Sequence, residues 1–230
     1  YCCLRCNANI YPNTYGDSSM SSILKVDNLQ TGAGATHSIS SLGITSPGTV
    51  LQEIHGFCDG RTVSGVAFEN VTGTQSLTTS HADITGSTVS YTPPAGTTTV
   101  VYTFSFHWES TVTSGISHYE FYIDGTPVNN GYGRRTQAGA YQGNHHNVSR
   151  VIYEFPILID NTLSTDNITS LKLKNWTSAR TLKMTGRYYG TSYNAVLHHN
   201  VWWNGASASG SDGPPATLLA LPTLSIKAIA

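Results

Sequence analysis

The sequence predicts an all-β protein whose antiparallel strands pack as a sandwich. Apolar and polar residues alternate along most of the chain, and the clearest run has Val100, Tyr102, Phe104, Phe106 and Trp108 on one side. Because successive side chains of a strand point to opposite faces, this run indicates a half-buried strand with an aromatic core face. About eight to ten such segments are separated by Gly-, Pro-, Asn- and Ser-rich turns, and none shows the period of an amphipathic helix. This spacing is typical of a sandwich or a jelly roll.

The composition of the 230-residue chain limits the classes of function. Disordered chains contain few aromatic and β-branched residues, so an aromatic content of 10% predicts a folded protein although only 11% of the residues are charged. The net charge is −1, whereas a nucleic-acid-binding domain usually carries a basic patch. The sequence also lacks a run of about 18 apolar residues that would span a bilayer. We therefore expect neither nucleic-acid binding nor insertion into a membrane.

A β-hairpin is predicted directly after the aromatic strand. Residues 119–123 alternate between apolar and polar side chains, and the following Asp124-Gly125 is a strong signal for a two-residue hairpin turn. The returning strand is short and contains Pro127, which cannot donate a hydrogen bond to a neighbouring strand. This strand is therefore predicted at a sheet edge.

Alternating segments continue in the C-terminal half. Residues 151–159 predict a strand with apolar residues on one face, and Pro156 on the opposite face indicates another edge or a bulge. Residues 171–174 and 182–185 predict two strands that carry lysines on their outer faces. Exposed lysines discourage edge-to-edge association of sheets.

The remaining segments are predicted as two strands and two long loops. Residues 195–203 are mostly apolar and predict a strand buried on both faces, and residues 223–230 predict a last strand. Residues 131–144 and 205–215 are predicted as loops. Loops of this length in a compact domain usually serve a function or move.

A short repeat, His-His-Asn-Val, contains two histidine doublets, His145-His146 and His198-His199. Adjacent residues of a strand point to opposite faces, so one doublet cannot direct both rings to the same metal ion. Doublets on neighbouring strands, or one histidine per chain around a three-fold axis, would be able to bind one. The alternative is hydrogen bonding by neutral imidazoles at the surface or between subunits, and no cofactor is expected.

Two histidine–glutamate pairs have the chemistry of a general acid and base. His107 and Glu109 share one face of their strand, and so do His118 and Glu120. The alternative is the ordinary polar, solvent-facing side of a sandwich. The chain contains no G-x-S-x-G, H-E-x-x-H, P-loop or G-x-G-x-x-G motif. We therefore expect that the protein is not an enzyme.

Aromatic residues within or beside Gly-, Ser- and Asn-rich segments are the candidate ligand-binding residues. Tyr and Trp contribute a large contact area at low entropy cost, and their flat rings also stack on sugar rings. The competing interpretation is packing between subunits or beneath the long loops. The candidates are Tyr132, Tyr141, Tyr188, Tyr189, Tyr193, Trp202 and Trp203.

The N-terminal segment holds three of the four cysteines, Cys2, Cys3 and Cys6. They lack the second Cys or His pair that a zinc site requires. Residues 1–19 are interpreted either as an extension upstream of a natural start at Met20 or as a docking tail or inter-subunit disulfide segment. The fourth cysteine, Cys58, is predicted to be a small buried apolar residue.

Residues 20–46 have the pattern of a leader that precedes a domain. The stretch from Ile23 to Thr31 shows a short β-type alternation, and the chain then becomes rich in Gly, Ala, Ser and Thr before Pro47-Gly48 opens the β region. This layout resembles the small virion structural proteins of marine tailed phages, in which a short leader precedes a C1q/TNF-like jelly-roll head. The resemblance implies an antiparallel jelly-roll head over residues 47–230.

The same resemblance implies a leader over residues 1–46 that attaches the head to other virion proteins. The residues that would make this attachment are Ile23, Leu24, Val26 and Leu29. It also implies a homotrimeric phage tail-fibre or appendage subunit located in the virion, whose head binds a protein or glycan of the host surface. Three copies would strengthen weak single-site binding through effective concentration.

Two other classes of protein remain open. A capsid or tail decoration protein would use the same fold only to cement its neighbours. A secreted glycan-binding module or extracellular filament subunit would explain four Asn-x-Ser/Thr triplets, which are glycan acceptors in secreted eukaryotic proteins. These triplets begin at Asn70, Asn147, Asn167 and Asn175.

Overall fold

The computed structural model describes residues 28–30, 36–38, 47–110, 114–140, 147–200 and 218–230. The chain divides into two compact units, Tyr1–Thr49 and Val50–Ala230. The strands are β1 Asn28–Gln30, β2 Thr36–Ser38, β3 Val50–Phe57, β4 Thr62–Val63, β5 Val66–Ala67, β6 Gln75–Ser76, β7 Ala82–Asp83, β8 Val89–Tyr91, β9 Thr99–Ser110, β10 Ser114–Ile123, β11 Thr126–Pro127, β12 Arg134–Ala140, β13 Asn147–Ile159, β14 Lys172–Leu173, β15 Arg180–Tyr188, β16 Ala195–Leu197, β17 His199–Asn200, β18 Leu218–Leu219 and β19 Thr223–Ile229. One 3₁₀ turn, Ile168–Ser170, precedes β14. Within these ranges no helix is long and apolar enough to cross a membrane.

In the first unit, β1 pairs antiparallel with β2, and Leu29 stands opposite His37. The other predicted attachment residues, Ile23, Leu24 and Val26, lie outside the described residues. The attachment role of the leader and its boundary at residue 46 therefore stay predictions.

In the second unit, the first sheet is arranged around β9. β13 pairs antiparallel along one side of β9, while β19 and β16 pair with different parts of its other side. β3 pairs with the outer side of β19, β6 pairs with β16, and β14 is added in parallel at the end of β13.

The second sheet is arranged around the antiparallel pair of β10 and β15. β12 and β11 pair with the free side of β10, and β7 and β8 pair with the free side of β15. Eight strands form the body of the two sheets, namely β3, β8, β9, β10, β12, β13, β15 and β19. Numbered from one to eight along the chain, they have the order 1-8-3-6 in the first sheet and 2-7-4-5 in the second.

The two sheets pack face to face through aromatic side chains. Tyr102 of β9 lies against Phe121 of β10, with ring centroids 5.1 Å apart, and Phe155 of β13 stacks on Phe121 at 4.3 Å. The indole of Trp108 donates a hydrogen bond of 2.9 Å to Ser117 Oγ across the sandwich. The core faces predicted for β9, β10 and β13 are confirmed, and so is the all-β antiparallel sandwich.

Turn and edge signals of the sequence are also confirmed. Asp124 and Gly125 have φ values of 50° and 76°, as a type I′ hairpin turn requires, and β11 lies at the edge with Pro127. Pro156 pairs with Val101 without a bulge. Leu158 N–H points away from β9, to Leu171 O, so by alternation the nitrogen of Pro156 also faces away from β9.

Cys58 is fully buried, as predicted, and its thiol donates to Gly86 O at 3.1 Å. Burial is the largest cause that raises the pKa of this thiol to about 12. Cys2, Cys3 and Cys6 lie outside the described residues.

Two sequence predictions are wrong. The predicted loop 131–144 contains β12, which pairs with β10 over seven residues from Arg134 to Ala140. The predicted strand 195–203 is interrupted at His198, which has a φ of 60°, so that β16 ends at Leu197. The predicted loop 205–215 lies outside the described residues.

Candidate functional site

The outer face of the second sheet brings together polar side chains from three paired strands. Two residues of β10 each stand between a residue of β12 and a residue of β15. These rows are Thr136, His118 and Arg187, and next to them Arg134, Glu120 and Thr185.

Glu120 is the hydrogen-bonded centre of this face. Arg134 Nε donates to its Oε1 at 3.0 Å, and the Tyr122 hydroxyl donates to its Oε2 at 3.2 Å. A second ion pair joins Lys183 Nζ to Asp83 at 2.8 Å. Because each carboxylate has its own cation, these four charges cancel.

Two histidines lie beside these ion pairs, and each places Nδ1 against a threonine hydroxyl. His118 Nδ1 is 3.2 Å from Thr136 Oγ1, and His81 Nδ1 is 3.0 Å from Thr185 Oγ1. Burial is the main cause that lowers the pKa of both rings, and Arg187 acts in the same direction on both. Both imidazoles are therefore mainly neutral at pH 7.

An exposed aromatic cluster borders this face. The ring of Tyr189 lies 5.9 Å from that of His118 and 5.3 Å from that of Tyr193, both edge to face. Tyr189 is 58% exposed, and its N–H donates to Ile116 O, which holds it beside β10. A large ring fixed in this way at the surface offers area for a ligand at low entropy cost.

The structure separates the other predicted aromatic residues. Tyr188 is half-buried and packs against the core. Tyr132 is 59% exposed, but it precedes β12 near the opposite end of β10. Tyr141, Trp202 and Trp203 lie outside the described residues.

The second histidine doublet is held in two different environments. His198 is fully buried, and its Nε2 lies 3.1 Å from Thr85 Oγ1. Burial is the largest cause that lowers its pKa to about 4. His199 is half-buried, and its Nδ1 contacts a carboxylate oxygen of Glu109, which is fully buried. The interpretation of Glu109 as a solvent-facing residue is therefore wrong, and so is that of Glu120, which is also buried.

No group of three or more His, Cys, Asp or Glu side chains in the described part of the chain is arranged to hold a metal ion. His145 and His146 lie outside that part, so pairing of the two doublets around a metal stays a prediction.

A cavity of about 430 Å³ lies at the start of β9, between the turn at Pro93-Pro94 and the segment before β15. Two of its polar groups have partners within the protein. Trp176 Nε1 donates to Tyr91 O at 3.0 Å, and Lys174 Nζ donates to Ser164 O at 3.2 Å.

Sequence reasoning found Tyr189, Tyr193 and His118 but missed Arg187 and His81. Arg187 follows a lysine-bearing stretch of β15, and His81 lies far away in sequence. Only the pairing of β15 with β10 and β7 brings them together. The sequence did contain one signal for Arg187: alternation along the strand puts it on the same face as Lys183 and Thr185.

Comparison with protein-family models finds no match, and neither does comparison with curated proteins. Among solved structures, the chain is similar to a chain from the structure of infectious bursal disease virus Gx strain, with 14% identity and a TM-score of 0.32. The match covers 96% of this chain and 41% of that chain, so this chain spans less than half of its length. At this TM-score the similarity establishes neither a shared fold nor a function.

Proposed function

We propose that the protein is a non-enzymatic structural subunit of a virion, a fibre or appendage protein whose β-sandwich head binds a glycan or protein of the host surface. The observation that carries this proposal is the exposed cluster of Tyr189, Tyr193 and His118 on the second sheet. The proposed location in a virion rests on the resemblance of the leader to those of phage virion proteins.

The sandwich is proposed to be a jelly roll. The strand orders 1-8-3-6 and 2-7-4-5 are those obtained when a long antiparallel hairpin folds over into two four-stranded sheets. In this arrangement the last strand, β19, lies between β3 and β9.

Association into a homotrimer is proposed to use the outer face of the first sheet. One row across this face has Phe57 at one end and Ile152 at the other, 48% and 57% exposed, with Thr223 and Ser105 between them. Ser105 is buried and accepts a hydrogen bond of 2.8 Å from Arg150 Nε, and a neighbouring chain would cover the exposed apolar side chains at the two ends of the row. The solution mass tests this step, with Ile152→Glu as the disruptive variant, and a monomeric wild-type protein would count against it.

The binding function is tested with the purified full-length chain on a glycan array and on cell-envelope preparations. We expect binding that Tyr189→Ala removes and Tyr189→Phe retains, because stacking requires the ring and not its hydroxyl. Tyr132→Ala is the matched control, since Tyr132 is equally exposed but lies at the other end of the sheet. If Tyr132→Ala removed binding and Tyr189→Ala did not, the binding site would lie at the other end of the sheet.

A decoration or cement protein is the second candidate, and the apolar residues on the outer face of the first sheet favour it. In that case Ile152→Glu would prevent incorporation into particles, while Tyr189→Ala would have no effect on attachment to cells. A secreted module is distinguished by intact mass, because Asn70, Asn167 and Asn175 are exposed and would carry added hexose.

A further inference from the structure

We propose that Arg187, together with His81, His118, Tyr189 and Tyr193, forms a binding site for the carboxylate of an acidic sugar. This group is called the Arg187 site below. The inference rests on the proposed function, because it names the class of glycan that the exposed aromatic cluster would bind.

Arg187 is the cation of this face whose charge is not balanced. Arg134 is paired with Glu120, and Lys183 is paired with Asp83. Within the described residues, Arg187 forms neither an ion pair nor a hydrogen bond of its side chain, although it is only half exposed. With the neighbouring pairs cancelled, the described residues of this face carry one net positive charge, which is on the guanidinium of Arg187.

The pairing of strands places this guanidinium between two neutral imidazoles. Arg187 stands directly opposite His118, and cross-strand neighbours have Cβ atoms about 5 Å apart. On the other side of β15, the register of Thr185 with Asp83 and of Gly186 with Ala82 brings His81 next to Arg187. Both rings use Nδ1 at a threonine, so Nε2 of each ring is left for a ligand.

The chemistry of these groups selects a monovalent planar anion with an attached ring. A guanidinium binds a carboxylate through two parallel hydrogen bonds, and the geometry of its fork matches the two oxygens. One unbalanced cation neutralises one carboxylate, whereas a phosphate dianion would need a second cation. The ring of Tyr189, beside His118, then offers its face to the sugar that carries the carboxylate.

The site is tested with two α-1,4-linked disaccharides, galabiose and its C6-oxidised counterpart digalacturonic acid. Digalacturonic acid carries one carboxylate on each ring, and Arg187 would bind one of the two. Binding to the full-length protein is measured by titration calorimetry. We expect wild type to bind digalacturonic acid about tenfold or more tightly than galabiose, since a hydrogen-bonded charge pair discriminates by at least that factor. Arg187→Gln is expected to abolish this preference, and Tyr189→Ala to weaken the binding of both sugars.

Lys183→Gln is the matched control, because it removes a cation from the same face that already has Asp83 as its partner. It should retain the preference for the acidic disaccharide. Thermal unfolding of Arg187→Gln is expected at the wild-type temperature, since this side chain has no partner to lose, and this separates a binding effect from misfolding.

The possible results distinguish this inference from the proposed function. Equal binding of the two disaccharides, or an unchanged preference in Arg187→Gln, overturns the Arg187 site while glycan binding stands. Equal binding of a sulfated galabiose and digalacturonic acid also overturns it, because the site would then bind anions in general. If the protein binds no glycan on the array and no cell envelope, the proposed function itself fails.

Discussion

The two histidine–glutamate pairs, His107-Trp-Glu109 and His118-Tyr-Glu120, have the same pattern on consecutive strands but different surroundings. Glu109 is fully buried at the end of β9 and contacts His199, which follows β16 after the kink at His198. Glu120, in the middle of β10, is also buried, but it is paired with Arg134, whose side chain is 61% exposed. The alternation of a strand shows which residues share a face, but it does not show whether another segment covers that face.

This difference assigns the two pairs to different roles. The charge of a buried glutamate has to be compensated inside the protein, so the surroundings of Glu109 belong to the stability of the sandwich. The charge of Glu120 is balanced by an exposed arginine, and Arg187 and His118 belong to the binding site proposed above. We therefore assign Glu109 to the stability of the sandwich, whereas Glu120 borders the proposed site.

The largest effect is expected from His199→Ala, which removes the imidazole that contacts the buried carboxylate of Glu109. Burial lowers the pKa of His199, so the imidazole is mainly neutral at pH 7 and Glu109 carries the charge of this contact. Removing a partner of a buried charged group costs about 3 kcal/mol or more of unfolding free energy. Chemical denaturation monitored by tryptophan fluorescence measures this value.

Two variants control for this result. His199→Gln keeps an N–H donor and should recover part of the loss. His55→Ala removes an exposed histidine of β3 and should change the unfolding free energy by about 0.5 kcal/mol or less. Equal effects of His199→Ala and His55→Ala would show that Glu109 does not depend on the imidazole.

The next effect concerns the pH dependence of stability through His198. Its pKa is lowered from 6.5 to about 4 in the folded protein, mainly by burial. The unfolded chain therefore binds more protons between these pH values, so the neutral imidazole stabilises the fold above pH 6.5 and this contribution is lost as the pH falls towards 4. The pKa difference corresponds to about 3 kcal/mol.

His198→Asn tests this dependence, because Asn does not titrate and accepts the left-handed backbone at this position. The variant is expected to be less stable at pH 7.5 but to lose less stability between pH 7.5 and 4.5 than wild type. If the variant and wild type lost the same unfolding free energy between pH 7.5 and pH 4.5, the result would contradict the role of His198.

The sequence predicted those parts of the fold in which a long strand buries one complete face. β9, β10 and β13 have aromatic or branched residues at alternate positions, so the alternation alone predicts which face of each strand is buried. β12 was missed because its sequence, Arg-Arg-Thr-Gln-Ala-Gly-Ala, has no apolar face. It is a strand because it pairs with β10, and that pairing depends on residues distant in sequence.

The candidate site was predicted only for its local components. Tyr189 and Tyr193 were recognisable as aromatic residues in a Gly- and Ser-rich segment, and the structure brings them together. Arg187 and His81 belong to the site only through the register of three strands, which the sequence does not reveal. The fully buried state of Glu109 likewise follows from the kink at His198, where a residue other than glycine adopts a positive φ.

The smallest effect is expected for the ion pair between Arg134 and Glu120. The Glu120 side chain is 10% exposed, but the Arg134 side chain is 61% exposed, so solvent screens the pair and its coupling energy is expected to be about 1 kcal/mol or less. A double-mutant cycle with Arg134→Gln and Glu120→Gln measures this energy, and the same cycle on Glu109 and His199 should give a larger value. Equal coupling energies in the two cycles would mean that burial does not distinguish the two histidine–glutamate pairs, and Glu120 would then have to be assigned to the stability of the sandwich together with Glu109.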